Sequence, residues 1–304
     1  MSITLTQLRS FLAVTRTGSV TGAADELVVT QPSVSAAVAA LSREVGVPLT
    51  ERVGRTIRTS AAGETFIPYA TDVIGLLEQG RLAAQEVAAA TDRQVRIAAV
   101  TTAAEHIVPP LMQAFSAEHP DVALTLEVGN RGTVFGRVAD HTADVAIGGR
   151  PPADGRLAGA AFSENEIVLI APPDDPLSGR RRVPVRELGD RAWLLREEGS
   201  GTRSMTEQFL RSHELTPSVL TLGSNGAIKQ AARAGLGVSL QARAAVALEL
   251  DAGQLSEIRP AVELPRREWF VLRSAVGPVR DSVAAFIAFV ERSEAPPSTR
   301  IGAP

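Results

Sequence analysis

The feature that most limits the fold of this chain is a set of closely punctuated helical patterns in its first sixty residues. Apolar Leu5, Leu8, Phe11, Leu12 and Val14 recur at helical spacing until Gly18 stops the pattern. Ser19 is placed to cap a short second helix through Leu27, with Ala23, Ala24 and Leu27 inward. Thr30 can cap a third, and Pro32 sits in its first turn, where a missing N–H costs little. Val34, Val38 and Leu41 give this third helix one apolar face, Gln31, Ser33 and Ser35 stand on the other, and Gly46 closes it. Residues 52–58 then read as a small β-hairpin around Gly54.

Two short helices joined by a tight turn, the second opening on exposed polar groups, have helix-turn-helix geometry. A helix entering a major groove about 12 Å wide cannot carry bulky apolar groups on its first turn. Arg52, Arg55 and Arg58 on the hairpin are placed to meet phosphates or a minor groove, as a wing does. A plain three-helix bundle with a solvated polar face fits the same pattern. Charge leans toward the first reading. Residues 1–59 hold six arginines against four acids, a net of +2, and the whole chain is −3, which leaves −5 for the remainder. Lys229 is the one lysine, so the richness in arginine carries no functional meaning by itself.

From residue 60 to about 90 the composition shifts to Ala, Leu, Glu and Gln, with no proline after Pro68. Phe66, Ala70, Val73, Leu77, Gly80, Ala84 and Val87 alternate spacings of four and three, the seam of a coiled coil. Such a helix is about 46 Å long, too long to be used up on one small head. The spacing therefore predicts a dimerisation helix; packing on the chain's own second domain is the alternative.

Residues 92 to about 292 alternate strand-like and helix-like runs. Strands are expected at 94–100, 122–128, 143–147, 166–171, 192–195, 219–222, 237–240 and 268–273. Helices are expected at 106–118, 134–139, 202–212, 227–234 and 279–290. This predicts an α/β fold with mostly parallel sheets. A loop near Pro172 and Pro173 allows two lobes with a cleft, and ligands bind beyond the carboxyl ends of parallel strands. Five segments fall at that edge. They are Thr101 with Thr102; Asn130 with Arg131; Gly149 with Arg150; Ser200, Gly201, Thr202 and Arg203; and Ser224, Asn225 and Lys229. Hydroxyls, unhindered N–H groups and cations in one place suit a carboxylate, phosphate or sulfur oxyanion.

Catalytic readings fare poorly. The chain has no cysteine, which removes disulfide scaffolds, thiolate zinc sites and cysteine nucleophiles. The four histidines lack metal-ligand spacing, and neither a P-loop nor a Gly-x-Ser-x-Gly elbow is present. Gly235 and Gly237 precede a strand instead of opening a helix, and adjacent Glu197 and Glu198 are poorly placed for complementary acid and base roles. No enzyme and no metal site are expected. The N-terminus has no secretory pattern and no apolar run approaches about 18 residues, so a cytoplasmic location away from membranes is expected.

The run SVTGAADELVVTQPSVSAAVAALSREVGVPLTERVGRTIRTSAAG at 19–63 resembles the N-terminal signature of LysR-type transcriptional regulators. Ala23, Ala24, Leu27, Thr30, Gln31, Pro32, Ser33, Ser35, Leu41, Gly46, Leu49, Arg52, Arg55 and Gly63 keep its order and spacing. The resemblance implies an α+β multi-domain chain. It consists of a winged helix-turn-helix at 1–59, a linker and dimerisation helix at 60–90, and an effector domain at 92–304. That last domain is a two-lobed α/β unit like the periplasmic binding proteins, with one lobe at about 92–162 and 268–293 and the other at about 163–267. It further implies that Gln31, Pro32, Ser33 and Ser35 lie at the DNA-reading end of the third helix, with Arg52 and Arg55 toward the wing. Partners implied are double-stranded promoter DNA, a second copy or a tetramer through the linker, RNA polymerase and a small-molecule effector. Ser42, Thr50 and Thr59 depart from the usual Glu, Phe and Leu, which predicts a looser wing.

The segments around Asn130, Gly149, Ser200 and Asn225 look like those of regulators of Calvin-cycle carbon-fixation operons. Such a likeness implies a phosphorylated metabolite or NADPH as effector, with no permanently bound cofactor. Several of the same runs occur in sulfur-oxyanion sensors, which would imply a small inorganic anion. The rival of another class is an enzyme or plain solute-binding protein built on the two lobes.

Overall fold

A computed structural model describes residues 2–53, 56–88 and 93–293. The chain forms two compact units, Met1–Ala88 with Asp140–Thr142, and the rest. The expected junction near residue 90 lies outside the described residues.

The first unit opens with α1 (Leu5–Thr17), α2 (Val20–Leu27) and α3 (Gln31–Val45). Each begins at a side-chain cap: Thr4 with a full capping box, then Ser19, then Thr30. Gly18 and Gly46 end α1 and α3 in the left-handed conformation. Phe11, Val34, Leu41 and Leu49 are fully buried at the centre. Strands β1 (Thr50–Val53) and β2 (Thr56–Thr59) form the antiparallel hairpin, with Thr50 opposite Thr59. Two of the three departures from the family pattern thus face one another, and a Thr–Thr pair is a favourable cross-strand contact. The third, Ser42, accepts the Leu49 N–H at 3.3 Å and ties α3 to the hairpin.

Helix α4 (Ala61–Ala88) uses its first turns on the head. Ala70 is buried, and Phe66, Ile67 and Ile74 pack against the head core, with Phe66 5.9 Å from Phe11. Phe66 and Ala70 are therefore core residues, not part of a seam. Val73, Leu77, Gly80, Ala84 and Val87, the remainder of the expected seam, are all exposed.

The second unit holds two lobes. The first contains β3 (Arg93–Val100), α5 (Thr101–His106), α6 (Val108–Glu118), β4 (Val122–Gly129), α7 (Arg131–Ala139), β5 (Val145–Gly148) and β6 (Leu157–Asn165). The chain crosses at Glu166 into the second lobe. There lie β7 (Ile167–Ala171), β8 (Trp193–Leu195), α8 (Gly201–Ser212), β9 (Val219–Thr221), α9 (Asn225–Arg233), β10 (Ser239–Ala242), α10 (Arg243–Asp251) and β11 (Ser256–Ile258). It returns to the first lobe as β12 (Arg267–Ser274) and α11 (Asp281–Arg292).

Sheet order in the first lobe is β4-β3-β5-β12-β6, and in the second β10-β7-β11 beside a β8-β9 pair. The expectation of mostly parallel sheets is corrected here: β12 runs antiparallel to β5 and β6, and β7 antiparallel to β10 and β11. The cause is the double crossing, since a chain that re-enters a sheet from the other lobe arrives in the opposite direction. Helix α5, a short 3-10 turn at Val185–Leu188, and the elements β6, β11 and α10 escaped the sequence reading. Strand β6 is rich in Ala and Gly, β11 has three residues, and α10 follows β10 with no intervening turn residue. The expected helix at 106–118 is α6, which starts at Val108 ahead of Pro109 and Pro110, and α5 precedes it over Thr101–His106.

Gly63 shows how closely α4 approaches the hairpin. A Cβ there would sit 2.0 Å from the Leu49 carbonyl oxygen and 2.6 Å from Thr59 Cγ2. Gly63→Ala should therefore lower the stability of the head by about 1–3 kcal/mol, as overpacked sites do. Urea titration monitored by circular dichroism will check it; an unchanged midpoint would show that the hairpin yields freely.

Candidate functional site

In the head, α3 presents a polar tip. Thr30 Oγ1 accepts the Ser33 N–H at 3.4 Å and lies 2.8 Å from Ser33 Oγ, which fixes the cap. Gln31, Pro32, Ser33 and Ser35 are exposed, while Val34, Val38 and Leu41 anchor the same helix in the core. The tip is thus solvent-facing and rigidly backed. Arg52 and Arg58 are exposed on the hairpin. Its register pairs Arg52 with Ile57 and Arg58 with Glu51, so the two arginines occupy opposite hairpin faces. Arg55 lies outside the described residues.

In the α/β unit, a cavity of about 40 Å³ lies where the lobes meet. At roughly 10–15 Å³ per water it holds about three waters, the room of one oxyanion. Thr101 and Thr102 follow the carboxyl end of β3, Asn130 and Arg131 that of β4, and Gly149 that of β5. From the second lobe, Ser200, Gly201 and Thr202 bring the N-terminus of α8 into the wall. Ser200 is buried and its hydroxyl makes no capping bond. Asn130 Oδ1 accepts the Thr133 N–H at 3.0 Å and starts α7. Gly199, at φ +80°, would carry a Cβ only 3.1 Å from Asn130 Nδ2, so glycine is what lets these two segments approach.

The charge in this wall is one-sided. Arg131 donates to the Arg150 carbonyl at 2.8 Å and lies 4.6 Å over the Phe135 ring. Arg267 makes one long bond, 3.4 Å, to the Gly201 carbonyl. Among the described residues neither has a carboxylate partner within ion-pair distance. Burial pulls both guanidinium pKa values below their ordinary value; at Arg131 the Asp154 charge offsets part of this, and at Arg267 the Arg131 charge pulls further. Both remain cationic at neutral pH, so their unrelieved desolvation works against folding, and an anion would relieve it.

Eight of the thirteen expected effector residues line this cavity: Thr101, Thr102, Asn130, Arg131, Gly149, Ser200, Gly201 and Thr202. The other five do not. Arg150 is exposed and pairs with Glu268, Arg203 pairs with Glu207, and Lys229 pairs with Glu249 at 2.7 Å. Ser224 caps α9, and Asn225 lies behind the wall, bonded to Thr102. Two charged residues were missed: Arg196, neutralised by Glu197 at 2.7 Å, and Arg267. Arg267 opens β12, and because β12 runs antiparallel its first residue reaches the edge where the parallel strands end. A second, wider cavity of about 540 Å³ shares Arg131, Gly201 and Arg267 with the first, over Met205 and Phe209.

A polar-tipped helix-turn-helix ahead of a two-lobed anion cleft is a combination that known proteins share. Residues 5–64 match the bacterial regulatory helix-turn-helix protein, lysR family, and residues 88–295 match the LysR substrate binding domain. The chain belongs to the LysR family of transcriptional regulators. LysR regulators bind promoter DNA and small-molecule effectors, and the relatives of this chain are transcriptional regulators, not enzymes. The HTH-type transcriptional regulator CfxR of Cupriavidus necator is 34% identical, over 94% of this chain and 91% of its own. A RuBisCO operon transcriptional regulator of Allochromatium vinosum is 32% identical, over 99% and 100%. Among solved structures, the Synechocystis PCC6803 CcmR regulatory domain in complex with 2-PG is 30% identical with a TM-score of 0.62. That match covers 66% of this chain and 96% of that one. Carbon-fixation operon regulators are thus among the proteins this chain is similar to, in keeping with the motifs around Asn130 and Asn225.

Arg267→Leu should raise the stability of the anion-free LysR protein by about 0.5–2 kcal/mol, since it removes an unpaired, repelled cation. The same change should abolish thermal stabilisation by added phosphate. Thermal unfolding with and without phosphate reads both effects; a less stable variant that still responds to phosphate would refute the assignment.

Proposed function

We propose that this LysR regulator controls carbon-fixation or related central-metabolic genes in response to a small phosphorylated acid held between the lobes. The observation that carries the effector half is the closeness of Arg131 and Arg267, neither of them ion-paired to a carboxylate among the described residues, around a space with room for one oxyanion. One oxyanion of the ligand fills that space, and the remainder of a small acid extends into the adjoining cavity of about 540 Å³, which shares Arg131, Gly201 and Arg267. Because a relative's regulatory domain binds 2-PG, 2-PG is the first compound to titrate. A sulfur oxyanion is the second reading, favoured by the same dimensions; competition between 2-PG, sulfite and sulfate in calorimetry separates the two.

The DNA half rests on the exposed first turn of α3. Gln31 reads base edges, Thr30, Pro32, Ser33 and Ser35 shape the tip, and Arg52, Arg55 and Arg58 meet phosphates. Gln31→Ala should relax base discrimination by about 1–3 kcal/mol, whereas Arg52→Ala should weaken binding to all sequences alike and flatten the salt dependence by about one unit of slope. Anisotropy titrations of the upstream DNA against scrambled duplex, at several salt concentrations, distinguish these outcomes. Equal, sequence-independent losses would contradict the roles.

The exposed residues Val73, Leu77, Gly80, Ala84 and Val87 support a partner helix along α4, in a homodimer or a tetramer built from such dimers. Effector binding then alters the angle between the lobes, and the oligomer conveys the change to the spacing of the heads on promoter DNA, with RNA polymerase the responding partner. Binding to chromosomal DNA would place the protein in the cytoplasm. Leu77→Lys should shift the mass measured by light scattering toward monomer and weaken DNA binding more than tenfold; an unchanged mass would remove α4 as the interface.

A further inference from the structure

Asn225 is fully buried behind the cavity wall, at the first position of α9. Its Nδ2 donates across the lobes to Thr102 Oγ1 at 3.0 Å. Its Oδ1 accepts from Arg196 Nη1. Arg196 in turn donates to both oxygens of Glu197, at 2.7 and 2.9 Å. A guanidinium only donates, so the carbonyl end of the Asn225 amide must face Arg196 and the NH2 end must face Thr102. The Thr102 oxygen is therefore an acceptor toward Asn225. A hydroxyl has a single hydrogen, and among the described residues Thr102 has no side-chain partner besides Asn225. That hydrogen is left for the cavity, which Thr102 lines.

We propose that Asn225 is a positioning residue that holds Thr102 as a hydrogen-bond donor to the effector, so that the site selects fully deprotonated ligand oxygens. The inference rests on the reading of the cleft as an anion site and deepens it. Glu197 orients Arg196, Arg196 orients Asn225, and Asn225 orients the Thr102 hydroxyl, each bond polarising the next. Thr102 belongs to the first lobe and the other three to the second. The chain of donors is thus complete only with the lobes together, and a bound anion strengthens the bond that spans them.

Asn225→Asp tests this in the full-length protein, because a carboxylate accepts at both ends. It would take the hydrogen of Thr102 and turn it away from the cavity. Calorimetry with 2-PG should show affinity at least tenfold weaker for Asn225→Asp and for Thr102→Val, near wild type for Thr102→Ser, and no weaker for the double Asp/Val variant than for Thr102→Val alone. Lowering the pH below about 6, where a phosphate monoester gains its second proton, should narrow the gap between wild type and Asn225→Asp. Wild-type affinity in Asn225→Asp or Thr102→Val, losses that multiply in the double variant, or a gap indifferent to pH would overturn the proposal. If Asn225→Asp does not fold, the Thr102→Val and Thr102→Ser pair decides, with equal affinities counting against it. Failure of the underlying anion reading has a separate signature: wild type that binds no 2-PG, sulfate or phosphate, or Arg267→Ala that binds them as well as wild type does.

Discussion

Two guanidinium groups brought together without a carboxylate between them govern the effector domain. Bringing Arg131 and Arg267 into a half-buried cleft costs desolvation and mutual repulsion, and the fold accepts both. Glycines make the space: a Cβ at Gly149 would lie 2.8 Å from Arg267 Nη2, and one at Gly201 3.4 Å. Elsewhere in the same unit, buried charge is neutralised. Asp144 shows the contrast. Burial alone would raise its carboxyl, but hydrogen bonds and charge from Arg96 and the charge of Arg280 outweigh this and hold it below the usual carboxylate range. Salt bridges of 2.8 and 2.9 Å tie it to both. Against that background, a guanidinium pair with no ion-paired carboxylate is what the proposed anion site rests on.

The head obeys a different constraint. An α-helix that reads DNA needs a hydrophilic leading turn and firm anchorage one turn later, and α3 has both within five residues. Exposed Gln31, Pro32 and Ser33 precede Val34, which is fully buried. Thr30 supplies the cap that keeps the first turn from fraying. In the hairpin that follows, the two positions that depart from the family's apolar residues, Thr50 and Thr59, are cross-strand partners. The close fit of Gly63 over Leu49 then fixes where α4 leaves the head.

The division of labour along α4 was only half visible beforehand. Its apolar spacing runs evenly from Phe66 to Val87, and nothing in the spacing distinguishes a residue packed on the head from one open to a partner. The structure separates Phe66, Ala70 and Ile74, which pack on the head core, from Val73, Leu77, Gly80, Ala84 and Val87, which are exposed.

The local elements and their order are written in short stretches of chain. Caps, left-handed glycines and apolar periodicity are encoded within a few residues, and the head, the long helix and most strands and helices of the α/β unit followed from them. Those stretches also place eight cleft residues, since each follows a strand whose end could be read locally. Whatever depends on strand direction and on the second lobe is set only by long-range packing. Arg267 reaches the ligand edge because β12 returns antiparallel, a fact no window around residue 267 contains. Lys229 and Arg203 turn aside because Glu249 and Glu207 capture them, and Asn225 faces Thr102 across 123 positions of chain. Local propensity fixes what each segment is; which segments meet is settled only when the chain has crossed between lobes twice.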